Sequence, residues 1–105
     1  MAKRNFIQIQ TIVDRWNGST YDKVMGDKVW IDPSIIVEVY PLKEGVVYDD
    51  VDARNAYRYG DPKPTKKYAY IYRSTAHGHG INGMSTEMMV DEESYEKIVK
   101  ELGID

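Results

Sequence analysis

One segment of this 105-residue chain carries a sustained helical period, and it lies at the C-terminus. Tyr95, Ile98, Val99 and Leu102 recur at i, i+3, i+4 and i+7, which places them on one face of a helix. Asp91 stands where an N-cap belongs, and Glu92 and Glu93 follow in the first turn, where negative charge suits the helix dipole. Val90 and Tyr95 have the spacing of a hydrophobic staple, Glu93–Lys97 and Glu96–Lys100 are favourable i, i+4 pairs, and Gly103 is placed to end the helix. Such a helix must bury its stripe against something else, and the rest of the chain offers mainly strands.

The strand signal is a period of two among β-branched and aromatic residues. Residues 6–13 alternate around Ile7, Ile9, Thr11 and Val13. Asp14 to Asp27 contains Asn17-Gly18-Ser19 and Gly26-Asp27, and is expected to be an irregular connection anchored by Trp16 and Tyr21. Lys28 to Ile31 is a short strand stopped at Asp32-Pro33-Ser34, because proline fixes its own φ and keeps the preceding residue out of the helical region. Ile35 to Tyr40 resumes as a strand until Pro41, and Gly45 to Tyr48 forms another. Tyr68 to Thr75 places Tyr68, Tyr70 and Tyr72 on one face and Ala69, Ile71 and Arg73 on the other. Thr86 to Val90 is the last strand. The expected fold is α+β: a small, mostly antiparallel β-sheet or partly open barrel with a C-terminal amphipathic helix, in a single compact domain spanning 1–105.

A polar excursion at about 49–66 interrupts this pattern with two prolines and a glycine. One helical turn near 51–58 fits there with Asp50 as its cap. A connection of this length in so small a domain points to function or mobility.

Composition excludes several classes. The chain lacks cysteine, so it has no disulfide framework, thiolate metal site or cysteine nucleophile. No apolar run approaches membrane-spanning length, and the N-terminal segment lacks the apolar region of a signal peptide, so a cytoplasmic location is expected. Fourteen basic residues stand against seventeen acidic ones, which argues against general nucleic-acid binding. The acid is concentrated in residues 91–105, with six acidic residues against two lysines. Arg54, Arg58, Lys63, Lys66, Lys67 and Arg73 fall within twenty positions and form a local basic cluster.

The most unusual motif is His77-Gly78-His79-Gly80, inside a glycine-rich stretch over 76–85. Two imidazoles are too few for a catalytic zinc, which usually takes three protein ligands, and no third stands nearby in sequence. The glycines instead let backbone N–H groups approach an anion, with His77, His79 and Asn82 adding polar contacts. Arg73 ends the preceding strand and suits a bidentate phosphate or carboxylate contact. Neither a Walker nor a dinucleotide fingerprint is present. The nine tyrosines are the second peculiarity, and Tyr70 and Tyr72 are placed to stack on a ligand or line a partner interface. Asp49, Asp50 and Asp52 lack the calcium-loop pattern, and no acyl-transfer motif occurs.

Two blocks carry a family resemblance. Gly26-Asp27-Lys28-Val29-Trp30-Ile31-Asp32-Pro33-Ser34-Ile35-Ile36-Val37-Glu38-Val39-Tyr40 resembles the FlbD-like small proteins in its order of glycine turn, strand, Asp-Pro corner and second strand. Thr86 to Leu102 is similar to their closing strand, acidic cap and short helix. Together the blocks cover 32 of 105 residues. The resemblance implies an architecture and not a role, since the 49–66 excursion and the His-Gly-His-Gly stretch have no counterpart in it. Size, composition and the glycine loop also resemble small phage-encoded proteins such as the anti-Thoeris sponges, which capture nucleotide-derived immune signals.

The residues point to a non-catalytic protein that binds a small polar ligand, and the resemblance to the phage-encoded proteins implies a phage origin, an anti-defence role and a nucleotide-derived ligand that the protein sequesters. Its expected site is Arg73, His77, His79, Asn82, Arg54, Arg58, Tyr70 and Tyr72, with no cofactor and no metal. One alternative is an inhibitor or adaptor that grips a host protein through the tyrosine face. Another is a small metal- or histidine-dependent enzyme. Homo-oligomerisation is expected through an open edge at 6–13 or 68–75.

Overall fold

The computed structural model describes residues 6–58, 60–74 and 85–104. It is an α+β protein with six strands in one mixed sheet and a C-terminal helix. The strands are β1 (Ile7–Trp16), β2 (Tyr21–Ile31), β3 (Ile36–Val39), β4 (Lys43–Tyr48), β5 (Thr65–Ser74) and β6 (Ser85–Asp91). A four-residue helix, α1 (Val51–Arg54), follows β4, and α2 (Glu92–Leu102) closes the chain. None of its helices is long and apolar enough to cross a membrane, among the described residues.

The sheet order is β3-β5-β4-β2-β1-β6, and β5 also pairs with β6. Every pairing is antiparallel except β2–β4. Because β6 bonds to both β1 and β5, the ladder doubles back on itself. It stops short of a clear barrel: β1 joins β6 at Thr11↔Val90 and Ile12↔Met89 alone, and β2 joins β4 at Lys23↔Val47 and Val24↔Tyr48 alone.

Alternate residues of β5 face two different cores. Ala69 and Ile71 join Ile9, Ile31, Ile36, Val90 and Ile98 in one cluster, against which Tyr95 and Leu102 of α2 pack. Tyr68 joins Ile12, Val47 and Met89 in the other, with Met25 and Tyr70 packed against it. The tyrosine face is therefore a core wall at Tyr68 and is only partly buried at Tyr70 and Tyr72.

The connection expected over Asp14–Asp27 is instead the outer half of a long β-hairpin. Its register sets Asp14 opposite Lys23, Arg15 opposite Asp22 and Trp16 opposite Tyr21, so each cross-strand pair is complementary. Asn17 closes the turn: its N–H donates to the Thr20 carbonyl at 2.9 Å, and its Oδ1 accepts from the N–H groups of Ser19 and Thr20. The Asp-Pro corner is a single 3₁₀ turn at Pro33–Ile35, with Asp32 Oδ1 accepting from the N–H and hydroxyl of Ser34.

The α2 helix forms as its sequence predicts. Asp91 caps it by accepting from the Ser94 N–H at 2.9 Å, and Gly103 ends it in the left-handed region at φ 69°, where a side chain would be strained. Its docking onto β1 uses polar groups as well as the apolar stripe. Ser94 Oγ accepts from the Gln10 N–H at 2.7 Å, and Lys97 Nζ donates to the Gln8 carbonyl at 3.2 Å. These contacts satisfy β1 where its ladder to β6 has not begun. The edges expected to be open are covered: 8–10 by α2, and 68–74 by β6 on one side and β3 and β4 on the other.

The excursion contains α1, capped by Asp50 Oδ1 accepting from the Ala53 N–H at 2.6 Å. It is tied back by the Tyr48–Tyr57 ring pair, with centroids 5.5 Å apart, and by the Lys66–Asp49 ion pair at 3.1 Å.

Candidate functional site

The gap where β1 leaves β6 is a cleft of about 330 Å³. Thr11 to Asp14 line one wall, Glu87 to Met89 the other, and Arg73 completes it. A register cause underlies the gap. β2 bulges at Gly26–Asp27 opposite Thr11, as the pairing shifts from Gln10↔Lys28 to Ile12↔Met25, and β1 bends away after its two pairs with β6.

Arg73 sits in the body of the sheet, paired with Ile36 on one side and Thr86 on the other. Its Nε is buried and has no hydrogen-bond partner among the described residues. A buried donor left unmatched costs about 1–3 kcal/mol, so this group stands out as one that an incoming acceptor would satisfy. Asp14 and Glu87 bring two carboxylates to the same cleft, and Ile12, Met88 and Met89 supply an apolar lining.

Tyr70 is half-buried beside this cleft. Burial pushes its hydroxyl pKa up, and Tyr68, Glu87 and Asp14 add to the shift. Tyr72 lies one pleat further along the same face. Its hydroxyl donates to Glu87 Oε2 at 2.6 Å, and this bond to a carboxylate is the main reason its pKa is pushed up to about 12. Tyr40 meets Tyr72 edge to face, with centroids 5.5 Å apart and rings at 68°. The Tyr40 hydroxyl donates to Glu38 Oε2 at 2.5 Å, which raises its pKa as well.

Of the residues expected at the site, Tyr70 and Tyr72 share one face of β5, while Arg73 alternates onto the other face and meets them only at the break between β1 and β6. Arg54 is the last residue of α1, and Arg58 lies in the following turn, where its N–H donates to Asp61 Oδ2 at 2.8 Å. The excursion that holds them rejoins the sheet at Thr65, eight residues along β5 from Arg73. His77, His79 and Asn82 lie outside the described residues. Asp14 and Glu87 were not legible as site residues: neither belongs to a motif, and only the pairing of β1 with β6 makes them neighbours. Among the described residues no group of three or more histidine, aspartate or glutamate side chains is disposed to hold a metal ion.

Fold and cleft together define an α+β protein with a mixed-charge groove at a break in its sheet. Comparison with protein-family models, curated proteins and solved structures finds no match.

Proposed function

We propose that the protein is a non-catalytic binder that sequesters a small polar, nucleotide-derived ligand in the cleft between β1 and β6. The observation that carries this reading is Arg73, which lines that cleft and whose buried Nε has no partner among the described residues. An acceptor on the ligand, such as a phosphate or carboxylate oxygen, would satisfy it, and an arginine presents this donor in a fork suited to such groups. Asp14 and Glu87 would take hydrogen-bond donors from the same ligand. The cleft volume lies at the lower end of the range for small-molecule sites, about 300–1,000 Å³.

In this reading the protein acts in the cytoplasm, is phage-encoded, and works against host defence by removing a signal rather than by destroying it. With the β1 and β5 edges covered, self-association in this reading uses another surface, and light scattering at micromolar concentration tests it: a monomer mass would refute that part.

The binding test is a thermal-shift panel of AMP, ADP-ribose and a cyclic dinucleotide. A ligand present at a hundred times its Kd stabilises the fold by about 2.7 kcal/mol. At least one member should raise the Tm of the wild type, and Arg73→Ala should abolish that rise. A panel with no shift would overturn the nucleotide-derived class, and an undiminished shift in Arg73→Ala would remove the cleft.

A further inference from the structure

Glu38, Tyr72 and Glu87 form one cross-strand row, because Tyr72 pairs with Glu38 on β3 and with Glu87 on β6. We propose that this row receives the guanidinium group of an arginine side chain from a partner protein. Three observations support it.

The first is the row's own charge. Two carboxylates flank a single ring, about 10 Å apart at two strand spacings. Each binds a tyrosine hydroxyl through Oε2, Glu38 that of Tyr40 and Glu87 that of Tyr72. The Oε1 atoms have no partner, and neither residue forms an ion pair, among the described residues. Across about 10 Å of exposed surface their mutual repulsion is largely screened, so what the row offers a cation is a pair of carboxylate acceptors on either side of a ring, which suits directed donors.

The second is the pattern along β5. Its alternate tyrosines share a face, and two of them already carry a cation: Lys23 Nζ stands 5.6 Å from the Tyr68 centroid, and Lys43 Nζ 5.4 Å from that of Tyr70. Tyr72 repeats the arrangement without a cation, among the described residues, and with two carboxylates added. Aromatic rings attract cations through their quadrupole, so the third position has the chemistry of the first two and lacks their occupant.

The third is shape. Tyr40 is 42% exposed, and the row is a surface rather than a cavity. A free small cation would bury little there, whereas an arginine held by a polypeptide brings its neighbours onto the exposed Tyr40 and Val37. Guanidinium suits the place better than ammonium, since it is planar, stacks on rings and meets carboxylate oxygens with directed donors.

The test is an NMR titration of the full chain with acetyl-Ala-Arg-Ala-amide, its citrulline counterpart and methylguanidinium, read on the ring signals of Tyr40 and Tyr72. The arginine peptide should shift both rings saturably, and the neutral citrulline peptide should not. Glu38→Gln should weaken the arginine peptide about twofold to fivefold, the scale of one exposed charge contact. Equal binding of the two peptides would overturn the proposal, as would an unchanged affinity in Glu38→Gln. Methylguanidinium binding as tightly as the peptide would reject a protein partner. A dimer that Glu38→Gln dissolves would assign the row to a second copy instead. The peptide comparison needs no variant, so it stands even if Glu38→Gln fails to fold. Glu87 belongs to both the row and the cleft, whereas Glu38 lines only the row and Arg73 only the cleft, so Glu38→Gln and Arg73→Ala keep the two outcomes distinct.

Discussion

Replacing Ser94 with alanine tests how the helix is fastened to the sheet. Ser94 is only 2% exposed, and its hydroxyl oxygen accepts from the Gln10 N–H at 2.7 Å. The ladder from β1 to β6 begins at Thr11, so Gln10 has no strand partner on that side and relies on the helix. Alanine removes the acceptor and leaves the amide unsatisfied, a cost of about 1–3 kcal/mol. Alanine is also the better helix former by about 0.5 kcal/mol, so the net loss is about 0.5–2.5 kcal/mol. For a domain of this size each kcal/mol lowers Tm by about 4–8 °C. Urea unfolding should show a lower midpoint with an unchanged slope, and hydrogen exchange at the Gln10 amide should accelerate. Glu96→Ala, on the exposed face of the same helix, should stay within about 0.5 kcal/mol of wild type. If Ser94→Ala keeps both the midpoint and the slow exchange of Gln10, the hydroxyl is not what holds β1 to α2.

Three further predictions follow from the packing and the tyrosine environments. Gly26→Ala should destabilise by about 1–3 kcal/mol in chemical denaturation, because the new Cβ would stand 2.8 Å from Thr11 Oγ1, whose hydroxyl is fixed by donating to the Asp27 carbonyl at 2.6 Å. Ile98→Ala should cost about 2–5 kcal/mol by the same assay, since Ile98 is fully buried in the cluster beneath α2. In an alkaline absorbance titration Tyr72 should ionise near pH 12 rather than 10, and Glu87→Gln should return it toward the ordinary value. The folded state holds that proton longer than the unfolded chain does, so the stability it contributes is complete below pH 10 and is lost as pH rises from 10 through about 12.

The C-terminal helix was legible because everything that specifies it is local. The Asp91 cap, the apolar stripe and Gly103 lie within thirteen residues, and their spacing is the helix period itself. The Asp50 cap was readable for the same reason, and α1 at Val51–Arg54 is the single helical turn expected in that stretch. Strand cores such as Ile7–Val13 and Tyr68–Ser74 also showed in their alternation. The outer hairpin did not, because Asp14 to Trp16 and Tyr21 to Lys23 are specified by the partners they face, and a pairing register is invisible along one strand.

The candidate site divides along the same line. Arg73, Tyr70 and Tyr72 could be named from the chain because they share one strand whose faces alternate. What tertiary structure alone decided is their company. Asp14 and Glu87 are seventy-three positions apart, and Glu38 reaches Tyr72 only through the register of β3 against β5. The cleft exists because one bulge in β2 and two short ladders keep the sheet from closing. Local periodicity sets which face of an element a residue occupies. Long-range pairing sets what that face meets, and the charges that give this surface its chemistry come from that second term.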